Sequence, residues 1–451
     1  MYALYTDRYQ LSMLGSYLRE GLASRRAVFE LSMRRLPRNR RFLVMAGIDR
    51  GLRYLENLRF TDDEIAYLRE APSLRDVMTD ELIAYLRAFR FSGDVYGLRE
   101  GELLLGGGPV LRVEGTLAEA QLVETFLLGA INHEAKVASK AARVVLAAQG
   151  RPVIEFGARR LDPMAAPTAA RAAYIAGCVG TSSEEAGFRF GVPVTGTCAH
   201  SYMLAHVDDG EVGAFAAFSQ SYPSGTSLLI DTWDTLRGAI RATAAGPAVH
   251  SVRIDSGDLA TLGPKVRAIL DAAGRSDIKL IASDDMDEFK IQALLAAGAP
   301  YDSFGVGTAI VLSPDAPSFG AVYKLVEVDN RHGKPIPVAK RAPGKASYGG
   351  RKQLLRRYNA EGIACEDVIA LVDEATEGEP LFVHHMHKGQ RVTKHTEAER
   401  TKSARALCKS RIAVLSQEQR VIALEESVPV TSAYRVSMTD AVRALERLED
   451  R

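Results

Sequence analysis

Several short apolar runs in the middle of this chain end in residue types that could do chemistry. "LIDTWD" ends in Asp231 and Asp234, "RIDSGD" in Asp255, Ser256 and Asp258, and "ASDDMD" in Ser283, Asp284, Asp285 and Asp287. Carboxylates so placed can hold Mg²⁺, directly or through water, or accept hydrogen bonds from sugar hydroxyls. Each could equally cap the helix that follows. His200 in "GTCAHS" follows another such run. Beside Asp231 and Asp255 it suits a nucleophile or general base, since a carboxylate fixes the imidazole tautomer and raises its basicity. "FGVGT" supplies Gly305, Gly307 and Thr308. These could cradle a phosphate through backbone N–H groups and a hydroxyl, although the run is neither a Walker A nor a dinucleotide fingerprint. "EFGARR" sets Phe156 beside Arg159 and Arg160. An aromatic face and a guanidinium fork suit a flat acidic ring, and a strand-end salt bridge fits equally well.

Two further groups carry less. The basic stretch with Lys340, Arg341, Lys345, Arg351 and Lys352 could cover an anion, but reads first as a solvated charge run. His384, His385 and His387 in "VHHMHKG" are near neighbours with no cysteine or carboxylate ligand pattern around them in sequence, so no metal is assigned there.

Positioning such groups needs strands that end together. From Arg151 six apolar runs alternate with helical stretches: "PVIEFGARR", "VPVTGTCAH", "TSLLIDTWD", "HSVRIDSGD", "IKLIASDDMD" and "YDSFGVGT". That is the alternation of a parallel sheet, whose C-terminal strand ends assemble active sites. Upstream, "FTDDEIAYLRE" and "MTDELIAYLRAF" open with Thr-Asp caps, Ser92 to Thr116 alternates like antiparallel strands, and a long helix is predicted from about Leu117 to Gln149. After Ala321 strands joined by the basic loop are expected, then a helical tail from about Thr396. The expected architecture is an irregular TIM-like α/β barrel over residues 117–320, with a smaller α+β domain built from 1–116 and 321–451.

A net charge of +1 gives no general pull toward nucleic acid or anionic membrane. The 4 cysteines are scattered without a C-x-x-C pair, against a zinc ribbon or disulfide scaffold. Asp7 and Arg8 interrupt the apolar core a signal peptide would need, and no apolar run is long enough to span a bilayer. A cytoplasmic protein is expected.

In order along the chain, "TDRYQLSM", "FELSMRRLP", "EFGARR", "GTSSEEAG", "GTCAHS", "LIDTWDTL", "RIDSGDLA", "SDDMDE", "FGVGT" and "GRKQLLR" resemble the motifs of the nicotinate phosphoribosyltransferase family. The resemblance covers nearly the whole chain. It implies transfer of a phosphoribosyl group from 5-phosphoribosyl-1-pyrophosphate to nicotinate, with Mg²⁺, in a homodimer with shared sites. It also implies coupling to ATP through a phosphohistidine at His200. On this resemblance Asp231 orients His200, while Phe156 and Tyr9 sandwich the pyridine, Tyr9 coming from the dimer mate. Arg159 faces the carboxylate, and Arg253 and Asp255 lie near the ribose and reacting nitrogen. Ser283, Asp284 and Asp285 meet ribose hydroxyls or phosphate, and Gly305, Gly307 and Thr308 meet the 5′-phosphate. Lys324, Arg351 and Lys352 help hold pyrophosphate or ATP. Ser182, where nicotinamide-using relatives carry aspartate, favours nicotinate. "RRLPRNRR" is unusually basic and would add a phosphate contact across the dimer. Quinolinate or nicotinamide as acceptor, and a non-catalytic nucleotide-binding regulator, are the alternatives.

Overall fold

The computed structural model describes residues 3–37, 39–341, 347–422 and 434–445. They divide into two compact units: 1–136, 318–396 and 406–451 form one, and 137–317 with 397–405 the other. The boundary expected at 116/117 lies inside the first unit.

The second unit carries the parallel sheet. Its strand order is Gly180–Thr181, Val153–Glu155, Ser303–Val306, Lys279–Ala282, Val249–Ile254 and Thr226–Leu229. Every pairing within it is parallel. Helices Thr235–Ala244, Leu259–Ala272 and Glu288–Ala296 intervene between successive strands. The runs are continuous and apolar because the strands are buried: Leu228, Leu229, Val252, Ile254, Leu280, Phe304 and Val306 are all fully enclosed.

Five of the six expected runs are strands. The exception is "VPVTGTCAH", where only Val194 makes a parallel bridge, to Thr181. Pro193 has no N–H to give a ladder, and its carbonyl instead accepts from Thr181 N at 3.0 Å. The two residues Gly180–Thr181 take the place in the sheet. His200 therefore does not end a strand; it opens the short helix His200–Ala205.

The first unit is built on a seven-stranded sheet, ordered Pro335–Pro337, Ala321–Asp329, Arg26–Met33, Gly108–Thr116, Asp94–Leu98, Phe382–His387 and Gln390–Arg391. A four-stranded sheet in the same unit pairs Glu379–Pro380, Lys352–Tyr358, Ala364–Leu371 and Arg435–Met438. The expected Thr-Asp caps are present: Thr61 forms a full capping box with Glu64, and Thr79 accepts from Leu82 N. The long helix after residue 116 is two, Leu117–Leu122 and Glu124–Ala147.

Candidate active site

Helix capping removes three of the strand-end aspartates from the catalytic set. Asp234 accepts from Arg237 N at 2.8 Å, Asp258 from Ala260 N at 3.1 Å, and Asp287 from Lys290 N at 2.8 Å. Each holds the start of its helix where backbone donors are otherwise orphaned. Asp231, Asp255, Asp284 and Asp285 cap nothing.

Around the C-terminal ends of four strands lies a polar cavity of about 210 Å³. Phe156, Arg159, Arg160, Arg253, Asp255, Ser283, Asp284, Asp285, Gly305, Gly307 and Thr308 line it. Phe156 leans over Gly305, where a Cβ would come within 2.6 Å of its ring; only a glycine lets the aromatic face settle there. At Gly307 a Cβ would meet the Phe156 carbonyl oxygen at 2.9 Å. The Arg253 guanidinium stands 5.9 Å from the Phe156 ring centroid. Asp284 and Asp285 both sit in left-handed backbone, with φ of 92° and 42°. For non-glycine residues that conformation is held only by the surrounding structure, and it clusters at sites that do chemistry.

Asp255 organises the polar side of the cavity. Ser283 Oγ donates to its carboxylate, Arg253 Nη2 lies 3.9 Å away, and His200 Nε2 faces it at 3.9 Å. Asp231 does not orient His200. The imidazole Nδ1 is bonded to Thr232 Oγ1 at 3.1 Å, and Asp231 Oδ2 accepts from Asp255 N at 3.0 Å and Ser256 Oγ at 2.6 Å. Asp231 thus braces the Asp255 loop, and the threonine next to it serves the histidine. Two buried polar atoms here, Asp231 Oδ1 and Arg253 Nε, have no hydrogen-bond partner among the described residues.

Thr232 and Glu155 are the residues that sequence reasoning passed over. Glu155 is buried at the end of its strand and accepts from Thr181 Oγ1 at 2.6 Å and from Gly157 N. Burial pushes its carboxyl up, against the pull of those two donors. It ties the Phe156–Gly157 turn to the neighbouring strand. An acid inside the otherwise apolar "VIEF" was the available signal for it.

Other expected residues lie elsewhere. Ser182 is exposed, gives its N–H to the Glu155 carbonyl at 3.1 Å and does not line the cavity. Tyr9 is 48% exposed on helix Arg8–Arg19 of the first unit. Lys352 is not available to grip a phosphate: its ammonium donates to Tyr348 O and Gly350 O at 2.7 and 2.8 Å and pairs with Glu30 at 3.0 Å, which uses all three of its donors. Arg351 pairs with Asp373 at 2.9 Å. Lys324 lines a separate cavity of about 520 Å³ in the first unit, together with Arg34 and Glu30. Of the two basic runs, Arg38 and Lys345 lie outside the described residues.

Residues 4–132 match the nicotinate phosphoribosyltransferase (NAPRTase) N-terminal domain. A nicotinate phosphoribosyltransferase of Mycobacterium tuberculosis is 40% identical over 447 residues, spanning 98% of this chain and 92% of its own length. The chain belongs to the nicotinate phosphoribosyltransferase family. A Bacillus subtilis nicotinate phosphoribosyltransferase is 42% identical over 383 residues, 82% of this chain and 76% of its own. Among solved structures, human nicotinic acid phosphoribosyltransferase superposes with a TM-score of 0.83 at 26% identity, covering 98% of this chain and 99% of its own. The nicotinate-nucleotide pyrophosphorylase of Pyrococcus furiosus gives 0.72 at 25% identity, over 90% of this chain and 94% of its own.

Proposed function

We propose that this chain transfers the phosphoribosyl group of 5-phosphoribosyl-1-pyrophosphate to nicotinate, forming nicotinate mononucleotide and pyrophosphate for NAD biosynthesis, with ATP hydrolysis coupled through His200. The observation that carries the reading is the cavity that gathers an aromatic ring, arginines, three carboxylates and a glycine-threonine cradle. On this reading the second unit, which holds most of the 117–320 expected for an irregular barrel, acts as the transferase domain.

Phe156 offers a flat face to the pyridine, and Arg159 with Arg160 supplies the guanidinium fork for its carboxylate. The Gly305–Thr308 turn accepts the 5′-phosphate on backbone N–H groups and a hydroxyl. Asp255 and the strained Asp284–Asp285 pair hold the ribose hydroxyls. As the C1–pyrophosphate bond breaks and the pyridine nitrogen bonds C1, positive charge grows on the ribose, and the carboxylates nearby stabilise it. Asp255, Asp284 and Asp285 line the cavity and would hold Mg²⁺ together with oxygens of the donor, since that ion takes oxygen ligands. When bound, the ion offsets the charge of departing pyrophosphate.

Thr232 occupies Nδ1 of His200 and leaves Nε2 as the nitrogen for the phosphoryl group. Nε2 attacks the terminal phosphorus of ATP, the N–P bond forms as the P–O bond to ADP breaks, and water later releases phosphate. A phosphate at His200 adds negative charge beside Asp255, so it changes affinity for donor and product, and these must change its stability reciprocally.

The test is an end-point assay with 5-phosphoribosyl-1-pyrophosphate, Mg²⁺ and nicotinate, nicotinamide or quinolinate, with and without ATP. Product from nicotinate alone, stimulated by ATP in the wild type and not in His200→Ala, is expected. Product from nicotinamide or quinolinate instead would overturn the acceptor, and equal stimulation in the variant would overturn the role of His200.

A further inference from the structure

The histidine run "VHHMH" lacks a ligand pattern in sequence, but the first unit supplies one in space. Strand Phe382–His387 pairs antiparallel with Asp94–Leu98, with His384 opposite Tyr96 and Met386 opposite Val95. The register shifts between those two pairs, so the strand carries one extra residue there. In a regular strand His384 and His387, three apart, would face opposite sides. The bulge restores them to one side, that of Asp94, which is two residues from Tyr96 on the partner strand. His385 takes the other side, half-buried, with its Nε2 on the Leu98 carbonyl at 2.9 Å.

The result is a compact donor set. Single ligand atoms of Asp94, His384 and His387 all lie within 4.8 Å of one another. Asp94 Oδ1 stands 3.0 Å from His387 Nδ1 and 3.9 Å from His384 Nε2. Donors around one tetrahedral zinc, at about 2.0–2.1 Å from it, are separated by roughly 3.3–3.5 Å, so these distances bracket what one ion needs. The two imidazoles are steeply inclined, at 76° with centroids 5.6 Å apart. His384 is held in place by stacking on Tyr96, ring centroids 4.3 Å apart. An Asp94–His387 pair alone would account for two of the three residues. It leaves His384 Nε2 buried with no hydrogen-bond partner among the described residues, a state that asks for a ligand.

We infer that Asp94, His384 and His387 form a binding site for a first-row divalent cation of the zinc class, with a fourth position left to water or another donor. Two imidazoles and one carboxylate match the preference of Zn²⁺, Co²⁺ and Ni²⁺ over Mg²⁺. The site joins the strand ending at His387 to the strand opening at Asp94, and it shares no residue with the cavity of the second unit.

The experiment is a calorimetric titration of untagged, metal-stripped full-length protein with ZnCl₂, repeated on Asp94→Asn and His387→Gln. The asparagine of the first variant keeps an oxygen for the Lys388 N–H that Asp94 now accepts at 2.8 Å, and the His387 side chain is 57% exposed, so both variants should fold; circular dichroism checks this. The wild type should bind one Zn²⁺ per chain, with affinity falling at least about 10-fold in each variant. Co²⁺ should give the intense visible absorption of a four-coordinate centre in wild type only. No stoichiometric uptake by the wild type, or uptake undiminished in both folded variants, would overturn the assignment and place any bound ion elsewhere, such as among the strand-end carboxylates.

Discussion

Thr232 shows how much a single hydroxyl decides. Its oxygen is the partner of His200 Nδ1, at 3.1 Å, while Asp231 beside it is engaged with Ser256 and the Asp255 backbone. In Thr232→Val the ring keeps its packing neighbours but loses the hydrogen bond that orients it through Nδ1. One neutral hydrogen bond is worth about 1 kcal/mol, so ATP-stimulated turnover should fall about 3- to 10-fold. Turnover without ATP should hardly change, because Thr232 does not line the strand-end cavity. Steady-state rates with and without ATP distinguish the two; an equal loss in both would mean that Thr232 supports the fold and not the histidine. The aspartates were the conspicuous residues of "LIDTWD", and the threonine between them carried no signal of its own. Only the turn that follows strand Thr226–Leu229 reveals which of the adjacent side chains reaches the imidazole.

Elements were legible wherever a local rule acts alone. The caps at Thr61 and Thr79 and the strands of residues 92–116 follow from spacing, and five of the six parallel runs follow from apolar stretches ending in polar residues. What failed were features decided by neighbours: the loss of "VPVTGTCAH" from the sheet and the enclosure of Lys352 by three carbonyls and Glu30; the cap roles of Asp234, Asp258 and Asp287 were one of two readings the sequence left open. The packing of helix Glu124–Ala147 on helix Glu288–Ala296 is of the same kind. Lys140 and Arg143 meet Glu288 at 2.7 and 2.9 Å, with all three side chains buried. Burial alone would push the Glu288 carboxyl up, but Lys140 and Arg143 pull it below its usual value of 4.5. Glu288→Gln removes the carboxylate that the buried Lys140 and Arg143 share. Asp315, 3.1 Å from Lys140, offsets part of the loss, so unfolding free energy should drop by about 3 kcal/mol at neutral pH. Because the folded carboxyl titrates below the unfolded one, the native state binds fewer protons between the two values, and the stability it contributes disappears as pH falls through the folded value. Denaturant melts should therefore show the gap between wild type and variant narrowing below pH 4.5. A gap that stays constant with pH would mean that Glu288 acts through packing and not through charge.

At the scale of the whole molecule the open question is what completes the aromatic side of the cavity. Phe156 supplies one face, and the second ring expected from the family resemblance, Tyr9, lies exposed near the start of a helix in the other unit of the chain. A tyrosine that works in trans makes a specific demand on mixed dimers. Tyr9→Ala and His200→Ala should each be impaired in ATP-stimulated transfer as homodimers. In a mixed dimer, the site that keeps its own His200 receives Tyr9 from the other protomer and is intact, while the second site lacks both. Random pairing makes about half the dimers mixed, with one of two sites restored, so co-expression should recover about a quarter of wild-type ATP-stimulated activity. The mixture is prepared with two different affinity tags and assayed after sequential purification, where pure mixed dimers should reach about half. A tyrosine acting within its own chain gives a different result: each mixed dimer then holds two singly defective sites, and activity stays at the level of the separate variants.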